Sequence, residues 1–407
     1  MQSILASTYA VNPFKGSEDG MGWNMLLQIA KKHQVYAVTR ENNQKNIEQF
    51  MAENPDDRYA NLTFLYYDLP YWMRFWKKGG RGAMLYYWMW QRGIVSFIAR
   101  QNISFDLVHN LNFHNDWTPS YLWKLGKPFV WGPIGHHPVI PAKYLKDYSS
   151  KIVWINRLTG SIKKAFWKLS RDLNRTAMAA DHVLCMNSSV VKVLPQVRGK
   201  YSILPSVATQ DFGYSASEKM GFKVISAGRL VALKGFDLTI KAFSVFIDQL
   251  SKSDADKAEL VIVGSGPELI NYQAMVKKLN ISNKVRFIKW IERDDLMRLF
   301  KEASVFLFPS HEGAGMVVAE ALSFGLPVVC LDNDGPGEFI SEDCGYAIKA
   351  ETYEATIAGL GNSLLELFAD AAIYKSKSNA ARRQFKNYFN WDLRADQLAR
   401  IYQKLVS

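Results

Sequence analysis

Short apolar runs of strand character alternate with helical patterns along this chain, and the alternation starts twice. In the first half SILAS (3–7) reads as a strand. The loop NPFKGSEDGMG (12–22) and an apolar helix pattern, WNMLLQIAKKH (23–33), follow it. QVYAVTR (34–40), FDLVHN (105–110) and KPFVWG (127–132) read as later strands. A second series runs through FKVISAG (222–228), AELVIVG (258–264), KVRFIKW (284–290), SVFLFPS (304–310) and LPVVCLD (326–332). Strands separated by helices must run parallel, with helices covering both faces of the sheet. The expected fold is therefore α/β, with two Rossmann-like doubly wound domains facing a cleft. A Ser/Gly/Pro-rich break at 204–221 separates them, as a hinge would. The expected domains are 1–205, basic and tryptophan-rich, and 206–385. A C-terminal helix at 386–407 is expected to cross back to the first domain.

A chain of 407 residues exceeds what one core usually supports. Its charge separates along the same division. The first 205 residues hold 26 Lys/Arg against 13 Asp/Glu, and the remainder 24 against 25, so the first half carries all of the net +12. Ten of the 12 tryptophans also fall there. The stretch 71–92, YWMRFWKKGGRGAMLYYWMWQR, combines eight aromatics and five cations with no acid. The segment 151–171 repeats the theme. Trp and Tyr favour a membrane interface, and Lys/Arg favour anionic headgroups. Peripheral docking on an anionic membrane is thus one reading; aromatics in the core under solvated cations is the other. Binding of single-stranded nucleic acid is ranked below both, because the charge lies on the half without phosphate-binding corners. No run of 18 apolar residues exists to span a membrane. The opening MQSILASTYAV lacks a basic leader, and the three cysteines form no C-x-x-C pair. A cytoplasmic location, peripheral to the cytoplasmic membrane, is expected.

The stretch HEGAGMVVAEALSFGLPVV (311–329) sets Glu312 before a glycine corner and Glu320 eight residues later on a helix pattern. Gly313 and Gly315 let backbone approach a ligand closely. The free amides at the helix start, near Met316 and Val317, favour an anion. Arg229 and Lys234 follow the strand end at Gly228, and Gly264 and Gly266 follow another. Taken singly, each feature could be a helix-dipole partner or a packing glycine. Three strands of one sheet ending in glycine or basic corners form a stronger combination.

These residues resemble family 4 glycosyltransferases of the two-domain GT-B architecture. Gly228-Arg229-Leu230 with Lys234-Gly235, VGSGP (263–267), the E-x7-E pair Glu312 and Glu320, and DGPGEFI (334–340) with Glu338 carry the likeness. GSEDGMGWN (16–24) and FVWGPIG (129–135) resemble the branch with a G-S-E-x-G-x-G-W loop. The resemblance implies a retaining transferase that moves a sugar from a nucleotide diphosphate sugar, with UDP or GDP as the nucleotide, to a glycan acceptor. A lipid-linked acceptor in surface polysaccharide biosynthesis fits the basic first half. It implies that Arg229 and Lys234 neutralise the diphosphate, that Glu320 holds the ribose and Glu312 the donor sugar, and that the base packs near Trp290 and Ile291. Gly20 and Gly22 would close over the phosphates. His109, His114 and His136 are the candidates on the acceptor side. No metal or other cofactor is implied. The Asp254/Asp256 and Asp332/Asp334 triplets read as polar loops, and His136-His137 as loop histidines without a third ligand. A sugar-nucleotide epimerase on the same architecture is the alternative.

Overall fold

The structure, a computed structural model, describes residues 1–77, 79, 82–111, 115–213 and 221–407. It contains two parallel sheets. The first holds β1 (Ser3–Ser7), β2 (Gln34–Thr39), β3 (Leu62–Tyr66), β4 (Leu107–Asn110), β5 (Phe129–Ile134), β6 (His182–Cys185) and β7 (Tyr201–Ile203) in the order β3-β2-β1-β4-β5-β6-β7. The second holds β8 (Phe222–Ala227), β9 (Ala258–Val263), β10 (Val285–Ile288), β11 (Val305–Phe308), β12 (Val328–Asp332) and β13 (Gly345–Lys349) in the order β10-β9-β8-β11-β12-β13. The four inner strands of the second sheet, β8, β9, β11 and β12, bury both faces almost throughout, which is why they read as unbroken apolar runs. In β11, Val305 and Leu307 enter one core while Phe306 and Phe308 enter the other.

The chain divides into two compact units. One comprises Met1–His136, Ser161–Ser206 and Trp391–Ser407; the other comprises His137–Gly160 and Val207–Asn390. The stretch 137–160 therefore departs from the division expected at residue 205. Its side chains explain why. Tyr148 donates to Asp237 at 2.7 Å, Tyr144 and Thr356 share a hydrogen bond of 2.8 Å, and Lys241 pairs with Asp147 at 2.6 Å. Burial pushes the Asp237 carboxyl up, and the two phenols it accepts from, Tyr148 and Tyr353, satisfy it there. The helix Asp392–Val406 packs within the first unit, pairing Lys31 with Asp392 at 3.1 Å and Lys32 with Asp396. Among the described residues no helix is long and apolar enough to cross a membrane.

Candidate active site

The strand order of the second sheet reverses between β8 and β11. Loops leaving the carboxyl ends of two such strands diverge, and the crevice between them is where open α/β sheets take ligands. The loop after β8 supplies Lys234 and the loop after β11 supplies Glu312. Lys234 Nζ donates to Glu312 Oε2 at 2.5 Å, with about a fifth of each side chain exposed. The ammonium lies 5.2 Å from the Phe308 ring, and its stem runs beside Gly228, where a Cβ would sit 3.5 Å away. Backbone bonds hold the two loops together: His311 N–H donates to Leu233 O at 2.9 Å. Asn333, from the loop after β12, donates to Ser310 O at 2.7 Å. Arg229 is exposed, and none of the described residues forms an ion pair with it.

Two glycines of the loop after β9 have a packing role. A Cβ on Gly264, at φ +149°, would meet Gly228 O at 1.9 Å, and one on Gly266 would meet Leu230 O at 2.3 Å. The main chains of the β8 and β9 loops thus lie against each other. Leu230 N–H donates to Ser265 O at 2.9 Å. Gly264 and Gly266 therefore hold Arg229 and Lys234 in place through the backbone. That physical role is narrower than the ligand contact expected of them. Gly335 does the same for Glu312, whose carbonyl a Cβ there would meet at 1.9 Å.

The helix Met316–Ser323 begins at Gly315, which is extended and offers no side-chain cap. Its first amides have no partner within the helix, and Gly313, Met316 and Val317 lie at this turn. Glu320 is buried one turn in. Its only ion pair among the described residues is with Arg293 at 2.8 Å, half of whose side chain is exposed. Burial pushes the Glu320 carboxyl up and Arg293 partly offsets it. Sequence reading missed Arg293, because it stands 27 residues upstream and opens a different helix, Arg293–Glu302. Trp290 is 71 % exposed at the end of the β10 loop, while Ile291 packs partly into the core. His311 is buried against Tyr144, with ring centroids 4.8 Å apart, and burial holds its pKa down to about 4. It stands neutral beside Glu312.

In the first unit several expectations are corrected. Gly20 and Gly22 lie inside the helix Ser17–Ala30 and not in a loop. The apolar pattern of that helix extends back past Trp23 to Met21, and Gly20 is required because a Cβ would meet Lys15 O at 2.4 Å. His109 lies within β4, fully buried. Its Nδ1 bonds Tyr402 Oη at 2.6 Å, its Nε2 bonds Gly132 O at 2.5 Å, and burial holds its pKa down to about 4. With both nitrogens engaged it anchors the C-terminal helix and has no free nitrogen for an acceptor. His114 lies outside the described residues. His136 follows β5, with Nδ1 2.7 Å from Oδ2 of the buried Asp116 and its ring against Trp167. Asp116 orients that imidazole. It was invisible in the sequence, because twenty residues separate the partners. Asp254, in the short helix Lys252–Ala255, pairs with Lys257, and Asp256, just after it, pairs with Lys284.

Residues 208–382 match the family described as Glycosyl transferases group 1. This segment of the chain is a glycosyl transferases group 1 domain. An uncharacterized glycosyltransferase of Haemophilus influenzae is 31% identical over 169 residues, covering 40% of this chain and 44% of the relative. A GDP-mannose-dependent monoacylated alpha-(1-6)-phosphatidylinositol monomannoside mannosyltransferase of Corynebacterium glutamicum is 26% identical over 211 residues, covering 48% and 52%. The chain thus spans about half the length of the curated relatives it matches. Over the whole chain the fold is shared with Anabaena Alr3699/HepE in complex with UDP and glucose (15% identity, TM-score 0.63, all of both chains). It is also shared with WaaG, a glycosyltransferase involved in lipopolysaccharide biosynthesis (17% identity, TM-score 0.62, 98% of this chain and 99% of that one). The group 1 domain contains every residue of the Lys234–Glu312 and Glu320–Arg293 pairs.

Proposed function

We propose that this protein is a retaining, family 4-type glycosyltransferase that moves a sugar from a nucleotide diphosphate sugar to a saccharide acceptor, one carried on a lipid in surface polysaccharide synthesis. The observation that carries the reading is the Lys234–Glu312 pair at the switch point of the group 1 domain, with Arg229 exposed on the same loop as Lys234 and without an ion pair among the described residues. A cation set against a single carboxylate at a strand end can leave it for a diphosphate. In this reading Lys234 and Arg229 face the leaving diphosphate, where charge develops as the bond from the sugar's anomeric carbon breaks. Cations fixed in advance lower that barrier without reorganising. The amides at Met316 and Val317 face the same phosphates. Glu312, released by Lys234, accepts from a sugar hydroxyl, and Glu320 accepts from the ribose hydroxyls with Arg293 holding it ionised. Trp290 offers a face to the base. His136, held by Asp116, stands on the acceptor side.

The mannosyltransferase relative named above acts on a phosphatidylinositol-linked acceptor, and the neighbour in complex with UDP and glucose binds a nucleotide. These names favour a UDP- or GDP-sugar donor and a lipid-linked acceptor here. A peripheral membrane position is supported by the helix Ser150–Leu169, which buries none of its residues, exposes Trp154, Leu158 and Ile162, and carries cations without an acid.

Thermal unfolding with UDP, GDP, ADP and dTDP, each with and without EDTA, tests the donor reading. Nucleotide at about 100 times its Kd adds ~2.7 kcal/mol. A shift with one nucleotide that survives EDTA is expected. A shift abolished by EDTA would move the site to Asp332 and Asp334. The absence of any shift would sink the proposal.

A further inference from the structure

The carboxyl edge of the first sheet holds two cations that the donor reading leaves unused. Arg40 follows β2 directly, and its guanidinium lies 4.5 Å from the centroid of the Tyr9 ring, just past β1. Lys77 comes from the segment after β3, with its ammonium 5.3 Å from the centroid of the Tyr86 ring. The two buried rings are neighbours, with centroids 6.4 Å apart. Among the described residues neither cation has an ion pair. Arg40 Nε is buried and meets no hydrogen-bond partner there. Of the nearby carboxylates, Asp68 accepts from Tyr86 Oη at 2.5 Å and pairs with Arg74 at 3.3 Å, Glu41 pairs with Arg74 at 3.5 Å, and Asp19 attracts Arg40 through space but shares that attraction with Lys15. Burial lowers the Lys77 pKa, the like charges of Arg40 and Arg74 lower it further, and Asp68 only partly offsets them.

A half-buried cation without an ion pair is expensive unless an anion completes it. Here two such cations cap adjacent rings at the edge where open sheets take ligands. The segment that carries Lys77 also exposes Tyr71, Trp72 and Phe75, at 76, 71 and 61 %. Charged groups beside solvent-facing aromatics suit a ligand that is anionic at one end and apolar at the other.

We propose that Arg40 and Lys77 receive the phosphate of a phosphate-linked lipid acceptor whose hydrocarbon lies on Tyr71, Trp72 and Phe75. This rests on the reading that the acceptor is lipid-linked, and it names the residues that recognise it. Arg40 supplies a planar fork that can bind two phosphate oxygens, and Lys77 supplies a point charge beside it.

The test is calorimetric titration of the full chain with farnesyl diphosphate and with inorganic pyrophosphate, in saturating UDP and GDP so that the nucleotide site is filled. Farnesyl diphosphate should still bind. Arg40→Gln and Lys77→Gln should each weaken it roughly tenfold or more, the loss expected for a charge-assisted contact, while Lys252→Gln, at an exposed surface position of the second unit, leaves it unchanged. The double variant Trp72→Ala/Phe75→Ala should weaken farnesyl diphosphate and leave pyrophosphate alone. Lys77 and the two aromatics are partly or largely exposed, so these variants decide the matter even where Arg40→Gln does not fold. Unchanged affinity in the cation variants, or competition with UDP, would overturn the site. Equal affinity for the two probes with no effect of the aromatic variant would overturn the lipid, leaving a soluble phosphate as the ligand. Failure of both UDP and GDP to bind, with the variant pattern intact, would count against the donor reading alone and support this one.

Discussion

Replacing Lys234 by Ala separates a structural ion pair from a catalytic cation. The Lys234–Glu312 contact is 2.5 Å long with 17 % and 22 % of the side chains exposed, between a surface pair and a buried one. Exposed pairs are worth about 0–1 kcal/mol, and truncating one partner of a buried pair costs about 3–5 kcal/mol. Lys234→Ala should therefore destabilise by about 2 kcal/mol, chiefly by leaving Glu312 unpaired. For a unit of about two hundred residues that lowers Tm by roughly 4–8 °C. Glu312→Ala on the same background removes the stranded carboxylate and should restore most of the stability. Activity should behave differently. Losing a group that meets developing charge lowers kcat by about 100-fold or more, and the second substitution cannot return it. The assay is calorimetric Tm together with kcat/KM for the single and double variants. A double variant that regains both stability and activity would refute the reasoning, because Lys234 would then only be neutralising Glu312.

Three further outcomes are expected. Glu320→Gln should weaken nucleotide binding, seen by titration. It should also alter the stability–pH profile: with a folded pKa raised above the ordinary 4.5, Glu320 makes the folded state lose stability as pH rises from that value through the raised one. The difference between variant and parent in denaturant unfolding isolates that slope, and identical slopes would exclude it. His109, held down to about 4 from 6.5, takes its proton first in the unfolded chain. Stability is therefore lost as pH falls through that window, by about 3 kcal/mol at pH 4, and His109→Phe should show a shallower acid loss in the same measurement. Gly264→Ala places a Cβ 1.9 Å from Gly228 O at φ +149°. It should lower stability by about 2 kcal/mol or more and weaken nucleotide binding with it. Gly315→Ala, extended and with its nearest contact at 3.1 Å to a side chain, should do far less to Tm.

Much of the site was legible because chain neighbours carry it. Gly228, Arg229 and Lys234 lie within seven residues, and Glu312 and Glu320 lie on either side of one turn, so strand ends and helix starts could be placed from spacing alone. What escaped were partners distant in sequence and roles set by burial. His109 reads like a strand-end histidine, yet its neighbours Tyr402 and Gly132 decide that it is a packing residue. Gly20 and Gly22 read as a loop because glycine disfavours helix interiors; the helix Ser17–Ala30 includes them because burial outweighs that preference. β3, β6, β7 and β13 were not read as strands. The exposed and half-buried residues of β3, β7 and β13 blur an apolar run.

The amino-acid order by itself determined the two parallel sheets, since strand–helix alternation admits little else, and it marked the corners where a phosphate could sit. It also determined that the cations and tryptophans gather in one half. Only the tertiary structure decided which charges remain uncompensated. It set Arg293 against Glu320, Asp116 behind His136 and Glu312 on Lys234, and it left Arg40 and Lys77 each over a tyrosine with no ion pair among the described residues. The reason is range. Hydrophobic periodicity is written within a few residues, whereas an ion pair or a burial penalty depends on groups brought together from loops tens of residues apart.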